Sequence, residues 1–285
     1  MSIELHIESA GRGSPLVLIH GWGLHGGIWS ELLPSLSQRW RVICPDLPGH
    51  GASPRASTLN LDTLVEAVAS NAPRRATYIG WSLGGMVAME IARRLPQRVE
   101  RLVLMATTPK FVTAPGWPCG VTPEVLDSFG AGLAADYRST VRNFLTLQAR
   151  GDSHAVELLR TLRRRVFAHG EPDPAALGQC LEVLASSDLR PGLEQIPHPT
   201  LVLAGEHDRL CPAEAGRRMA STLPDAEFSV IDGGSHAPFL SHRDAVLSQL
   251  HAFFARNHNA GKLGKPVGSA GGRRDDGRGG GRMQA

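Results

Sequence analysis

Cysteine is scarce in this chain of 285 residues: Cys44, Cys119, Cys180 and Cys211 are all it has. They are widely spaced and none forms a C-x-x-C pair, so neither a disulfide framework nor a zinc site follows from them, and a reduced, cytoplasmic setting fits best. Long apolar runs are also lacking. No stretch approaches the roughly 20 residues that cross a bilayer. Met1 to Gly13 alternates charged and apolar residues and has no secretion-signal core. The expectation is a soluble protein with no membrane partner. A strong charge of either sign is absent too: 30 Lys and Arg against 27 Asp and Glu leave a formal +3, too little to make nucleic acid the main partner. No internal repeat is visible.

What is present is enough apolar material, 42% of residues, to bury one large core, so one α/β domain with an insertion is more natural than two independent domains. Six short, nearly continuous apolar segments read as strands: Leu16 to Ile19, Arg41 to Cys44, Thr77 to Gly80, Arg101 to Met105, Thr200 to Ala204 and Glu227 to Ile231. Continuous apolar character points to parallel strands covered on both faces, with helical segments between them. The stretch between Met105 and Thr200 is too long for a structureless connection in a compact domain, and it is expected to fold as a helical cap. Its candidate helices are Pro123 to Leu133, Asp136 to Gln148, Ser153 to Ala168 and Pro174 to Leu184. The expected organisation is a core of 1–110 and 191–258, a cap of 111–190, and a Gly/Arg-rich tail of 259–285. That tail has too few apolar residues to offset the entropy of ordering and is expected to be disordered. Such a tail can contact nucleic-acid phosphates, but a solvated extension is the plainer reading.

Chemistry enters at Gly80-Trp81-Ser82-Leu83-Gly84-Gly85, which follows the apolar run Ala76 to Ile79 and precedes a helical Met86 to Leu95. Strand, sharp turn and helix are what a G-x-S-x-G nucleophile elbow requires, its glycines letting strand and helix approach while the serine projects alone. Ser82 is the expected nucleophile. A serine hydroxyl needs a base, an acid to orient that base, and donors for the oxyanion. His236 is the expected base, in the loop beyond the last strand. Asp208, in the loop after Thr200 to Ala204, is the expected acid, with Glu206, His207 and Asp46 as rivals. The expected oxyanion donors are the backbone N–H groups of Leu83 and of Trp22, the latter in the small-residue loop His20-Gly21-Trp22-Gly23. His20 reads as a brace for that loop.

Residues from about Glu4 to His258 resemble the α/β-hydrolase esterases of biotin synthesis, the pimeloyl-[acyl-carrier protein] methyl ester esterases. The resemblance is carried by His20 to Leu24 with Ile28-Trp29, by the elbow, and by Phe144-Leu145-Thr146-Leu147-Gln148. Ser187 to Arg190 and Gly234 to Phe239 extend it. The elbow is common to the superfamily; its tryptophan together with the string FLTLQ is more selective. The resemblance implies an α/β-hydrolase fold and, as substrate, the methyl ester of a pimeloyl chain on acyl carrier protein. It implies no metal or organic cofactor. It further implies that Trp22, Ser82, Leu83, His236 and the run Phe144 to Gln148 contact substrate, although plain cap-helix core is the alternative for Phe144, Leu145 and Leu147. In such esterases cap arginines meet the carrier protein. Here Arg138 and Arg142, and Arg160 and Arg164, stand four residues apart and can each share a helical face; only Arg160 falls on a matching position, and a merely solvated basic face is the alternative.

The same triad also serves carboxylesterases, thioesterases and lactonases acting on carrier-free substrates, and a ligand receptor without turnover is the alternative outside enzymes. A haloalkane dehalogenase is disfavoured, since it wants a carboxylate where Ser82 stands. A monomer is the default expectation.

Overall fold

A computed structural model describes residues 3–260. The Gly/Arg-rich tail expected to be disordered lies outside the described residues beyond 260. Seven strands form one sheet: β1 (Ile7–Ala10), β2 (Ser14–Ile19), β3 (Trp40–Pro45), β4 (Ala76–Trp81), β5 (Val99–Met105), β6 (Thr200–Gly205) and β7 (Ala226–Ile231). Their order is β1-β3-β2-β4-β5-β6-β7. Among the described residues only β1 runs antiparallel, pairing with β3 from Ile7 opposite Pro45 to Ala10 opposite Val42. The other pairings are parallel. Every residue of β4 and β6 is buried, as parallel strands covered on both faces require.

The helices are α1 (Leu33–Leu36), α2 (Leu61–Asn71), α3 (Leu83–Arg94), α4 (Pro123–Ala149), α5 (Ala155–Arg165), α6 (Pro174–Ser186), α7 (Ala213–Thr222), α8 (Pro238–Ser241) and α9 (Arg243–Ala260). Helix α2 starts on a capping box in which Asn60 Oδ1 accepts the Thr63 N–H and Thr63 Oγ1 accepts the Asn60 N–H, both at 2.9 Å. Helix α3 buries every residue from Leu83 to Ala92 against the sheet. Among the described residues, no helix is long and apolar enough to cross a membrane.

Helices α4, α5 and α6 occupy the connection between β5 and β6. The two helices expected over Pro123 to Gln148 are halves of the single α4, interrupted at Asp136, whose φ of −155° and ψ of 92° are not helical. Asp136 acts there as an internal cap, accepting the Ser139 N–H at 3.1 Å and the Ser139 hydroxyl at 2.6 Å. On α5 the buried positions are Leu158 and Leu162, while Arg160, Arg163 and Arg164 face solvent.

The strand order places the site. From β2 the chain moves to β3 on one side, then to β4 on the other, so the carboxyl ends of β2 and β4 flank a topological switch point, where open α/β sheets form their clefts. The loop His20 to Gly23 leaves β2, and Ser82 leaves β4, at that point.

Candidate active site

Ser82 is held at φ 55° and ψ −120° between β4 and α3, a conformation costly for a residue with a side chain. Its surroundings enforce it: the Ser82 N–H donates to the Met105 carbonyl at 3.1 Å, and the Ser82 carbonyl accepts the Thr107 hydroxyl at 2.7 Å. The elbow glycines answer to close approach. A Cβ on Gly80 would lie 2.6 Å from the Gly85 Cα, and one on Gly84 would lie 2.6 Å from the His20 carbonyl oxygen. Strand β4, helix α3 and the β2 loop meet backbone to backbone there.

His236 follows β7 on a short turn. Its Nε2 lies 3.0 Å from Ser82 Oγ and its Nδ1 2.9 Å from Asp208 Oδ2. All three side chains are buried, Ser82 at 4% exposure and His236 at 1%. With Nδ1–H donating to the carboxylate, Nε2 is the free acceptor for the serine proton. The second Asp208 oxygen accepts the Leu210 and Cys211 N–H groups, both at 2.9 Å. Burial, with the nearby Asp208 charge, pushes the Cys211 thiol well above its ordinary range, so it stays protonated and is no second nucleophile.

The rivals for the acid lie elsewhere. Glu206 accepts the Gly233 N–H at 2.8 Å and is half exposed, and His207 stands beside it in solvent. Asp46 is fully buried but turned to other backbone, taking the Gly26 N–H at 2.6 Å and the Ala52 N–H at 2.9 Å.

Leu83 opens α3, where an N–H has no intrahelical acceptor. Among the described residues neither it nor the Trp22 N–H donates to a protein carbonyl. His20 braces the Trp22 loop, as its position suggests: Nδ1–H donates to the Gly21 carbonyl at 2.8 Å, and Nε2 accepts the Leu47 N–H at 2.8 Å. Burial and the neighbouring His50 hold His20 well below the usual histidine range, consistent with a neutral ring.

The Trp22 ring is buried edge-on to Phe144 of α4, with centroids 4.8 Å apart, and its indole N–H donates to the Leu177 carbonyl of α6 at 2.9 Å. Phe144 meets Phe129 in turn. On the other side the Trp81 indole N–H donates to the His236 carbonyl at 2.7 Å, and Trp81 packs edge-on to Phe239.

The run Phe144 to Gln148 does not act as one surface. Phe144, Leu145 and Gln148 are buried, and the Gln148 Oε1 is buried with no partner among the described residues. Thr146 is exposed, Leu147 is half-buried, and both line a separate outer groove of about 410 Å³ between α4 and α5 with Arg150, Val156 and Leu159. Five successive residues turn about 400° around a helix and cannot all face one slot. Of the four arginines singled out, Arg138 is taken by an ion pair with Glu171. Arg142, Arg160 and Arg164 are exposed and, among the described residues, form no ion pair. The sequence reading missed Thr107 and Asp152. Neither stands in a motif, and each acts across a long stretch of chain.

Residues 14–243 match the family described as alpha/beta hydrolase fold. Two curated relatives, both named pimeloyl-[acyl-carrier protein] methyl ester esterase, are similar along nearly their whole length. The protein of Methylococcus capsulatus is 45% identical over 251 residues, 88% of this chain and 98% of its own. That of Nitrosomonas europaea is 42% identical over 249 residues, 87% of this chain and 99% of its own. Among solved structures, an esterase from Exiguobacterium antarcticum superposes with a TM-score of 0.80 at 24% identity, covering 88% of this chain and 95% of that one, a likeness of fold. A mostly parallel sheet with a serine elbow at its switch point and this degree of identity together establish that the chain belongs to the α/β-hydrolase family and, within it, to the pimeloyl-[acyl-carrier protein] methyl ester esterases.

Proposed function

We propose that the chain hydrolyses the methyl ester of a pimeloyl group carried on acyl carrier protein, releasing methanol and leaving the free terminal carboxylate, by a serine acyl-enzyme route. The observation that carries the reading is the unbroken line from Ser82 Oγ through His236 to Asp208 in a chain 45% identical to an esterase of that name.

Ser82 Oγ attacks the ester carbonyl carbon as His236 Nε2 takes its proton, the imidazolium being stabilised by Asp208. The Trp22 and Leu83 N–H groups receive the oxyanion, each contributing about 3 kcal/mol to lowering the barrier. Collapse of the intermediate breaks the bond to the methoxy oxygen, which leaves as methanol with the proton from His236. Water then gives a proton to His236 and attacks the acyl-enzyme, regenerating Ser82 and releasing the carboxylate.

Residues 111–190 serve as the cap. Trp22 and Phe144 form an apolar wall suited to a methylene chain, and the unpaired Gln148 Oε1 offers an acceptor to a polar group of the substrate. Arg142, Arg150, Arg160 and Arg164 give the α4–α5 face a positive charge that suits an acidic carrier protein. A carrier-free carboxylesterase is the second reading, favoured by the burial of Ser82, Asp208 and His236, at 4%, 5% and 1% exposure. Comparing kcat/KM for the carrier-linked methyl ester with that for dimethyl pimelate separates the two. The proposal expects a preference of at least ~10-fold for the carrier-linked ester, and equal values would support the second reading.

A further inference from the structure

His236 is seated by a part of the chain that the Ser82–His236–Asp208 relay does not include. The carboxyl end of α4 closes over the turn that carries it. The Gln148 carbonyl accepts the His236 N–H at 3.2 Å and lies 2.8 Å from the Ser235 hydroxyl. Just beyond α4, the Ser153 N–H donates to the Gly233 carbonyl at 2.9 Å. Between these two anchors stands Asp152, only 7% exposed.

Asp152 meets donors on every side. Its Oδ2 accepts the Ser235 N–H at 2.8 Å and the Ser241 hydroxyl at 2.8 Å, and it shares the single Ser235 hydroxyl proton, at 2.9 Å, with the Gln148 carbonyl. Its Oδ1 accepts the His154 N–H at 2.8 Å. Among the described residues no cation pairs with it. An ionised carboxylate, which only accepts, satisfies this arrangement; an amide would turn two N–H groups toward donors. The residue next to the base is thereby tied through its backbone N–H to Asp152 and through its hydroxyl to the last turn of α4, the helix that also packs Phe144 on Trp22.

We propose that Asp152 is a positioning residue for His236, fixing the turn so that Nε2 stays in line with Ser82 Oγ. The proposal rests on the serine-esterase reading above. Groups that orient a metal ligand from behind typically change its performance ~10- to 100-fold when altered, and the same scale is expected for a group that orients a catalytic histidine.

The test compares wild type, Asp152→Asn and Ser82→Ala in two assays: steady-state hydrolysis of a p-nitrophenyl ester, and labelling of Ser82 by a fluorophosphonate. In the labelling, Ser82 Oγ bonds to phosphorus, fluoride leaves and His236 takes the proton. Asp152→Asn is expected to lower kcat and the labelling rate together, ~10- to 100-fold, with KM within about twofold and the melting temperature within a few degrees. If Asp152→Asn fails to fold, Ser235→Ala removes the shared hydroxyl alone and is expected to lower both rates several-fold. A folded variant that labels and turns over as fast as wild type overturns the proposal, as does a change confined to KM. A wild type that does not label at Ser82 overturns the underlying esterase reading instead, so the two failures are distinguishable.

Discussion

Asp208 and His236 are joined at 2.9 Å across 28 residues of sequence, and the carboxylate is pinned from behind by the Leu210 and Cys211 N–H groups. One carboxylate oxygen therefore faces the ring while the other is anchored to its own loop. Asp208→Asn would keep the shape, but it would let the amide present N–H to Nδ1 and favour the wrong histidine tautomer. The expected result is a fall in kcat of ~10³- to 10⁴-fold with nearly unchanged thermal stability. Steady-state kinetics beside a melting curve check it.

The elbow has no room for a methyl group. In Gly84→Ala the new Cβ would press on the backbone carbonyl of His20, which is part of the oxyanion loop and cannot swing away like a side chain. Overpacking of this kind costs roughly 1–3 kcal/mol or more. The variant should melt several degrees lower and lose most activity, because relief means moving Ser82 or the Trp22 loop. Retained activity at an unchanged melting temperature would count against this packing.

Stability should fall with acid for a reason unrelated to the relay. Burial holds His50 at about 4 instead of the ordinary 6.5, and its Nε2 has no partner among the described residues. Below pH 6.5 the unfolded chain binds a proton at His50 that the folded chain refuses until about pH 4. The unfolded state thus holds more protons in that window, and stability drops as pH falls through it. The shift corresponds to about 3 kcal/mol. Burial lowers His20 in the same direction, so a His50→Gln variant should flatten the decline only in part. Urea midpoints measured from about pH 7 to about pH 4.5 would show it.

Reversing charge on the α4–α5 face separates carrier docking from chemistry. Arg142→Glu with Arg160→Glu is expected to reduce kcat/KM for the carrier-linked ester ~10-fold or more at low salt, with the loss shrinking as salt is added. Hydrolysis of a small p-nitrophenyl ester should be unaffected. Arg138→Glu is a poorer probe, since its guanidinium already serves Glu171.

The sheet was legible wherever burial on both faces wrote a continuous apolar run. All six such runs, from Leu16 to Ile231, are strands whose ends move by only a residue or two. Strand β1 left no such mark, because an edge strand that is only partly buried tolerates Glu8 and Ser9. In α4 the interruption at Asp136 is a single residue with helical turns on both sides, so the sequence reads as two helices where the backbone nearly continues. That the loops carrying His236 and Asp208 come together beside Ser82 was readable from their positions just beyond strands, where a serine elbow calls for a base and an acid. Asp152 was not, because its partners lie 83 and 89 residues away and an aspartate in a Gly-Asp-Ser turn has no signature of its own. Thr146 and Leu147 came in with a motif run, and helical periodicity separates them from Phe144 and Gln148.

The most direct test of the account is to incubate the purified protein with pimeloyl-[acyl-carrier protein] methyl ester and follow loss of the methyl group by intact mass, beside Ser82→Ala. The account predicts rapid demethylation by the wild type and none by the variant. An intact methyl ester after incubation with a wild type that briskly cleaves p-nitrophenyl esters would contradict the assignment of substrate, and demethylation by Ser82→Ala at the wild-type rate would contradict the mechanism.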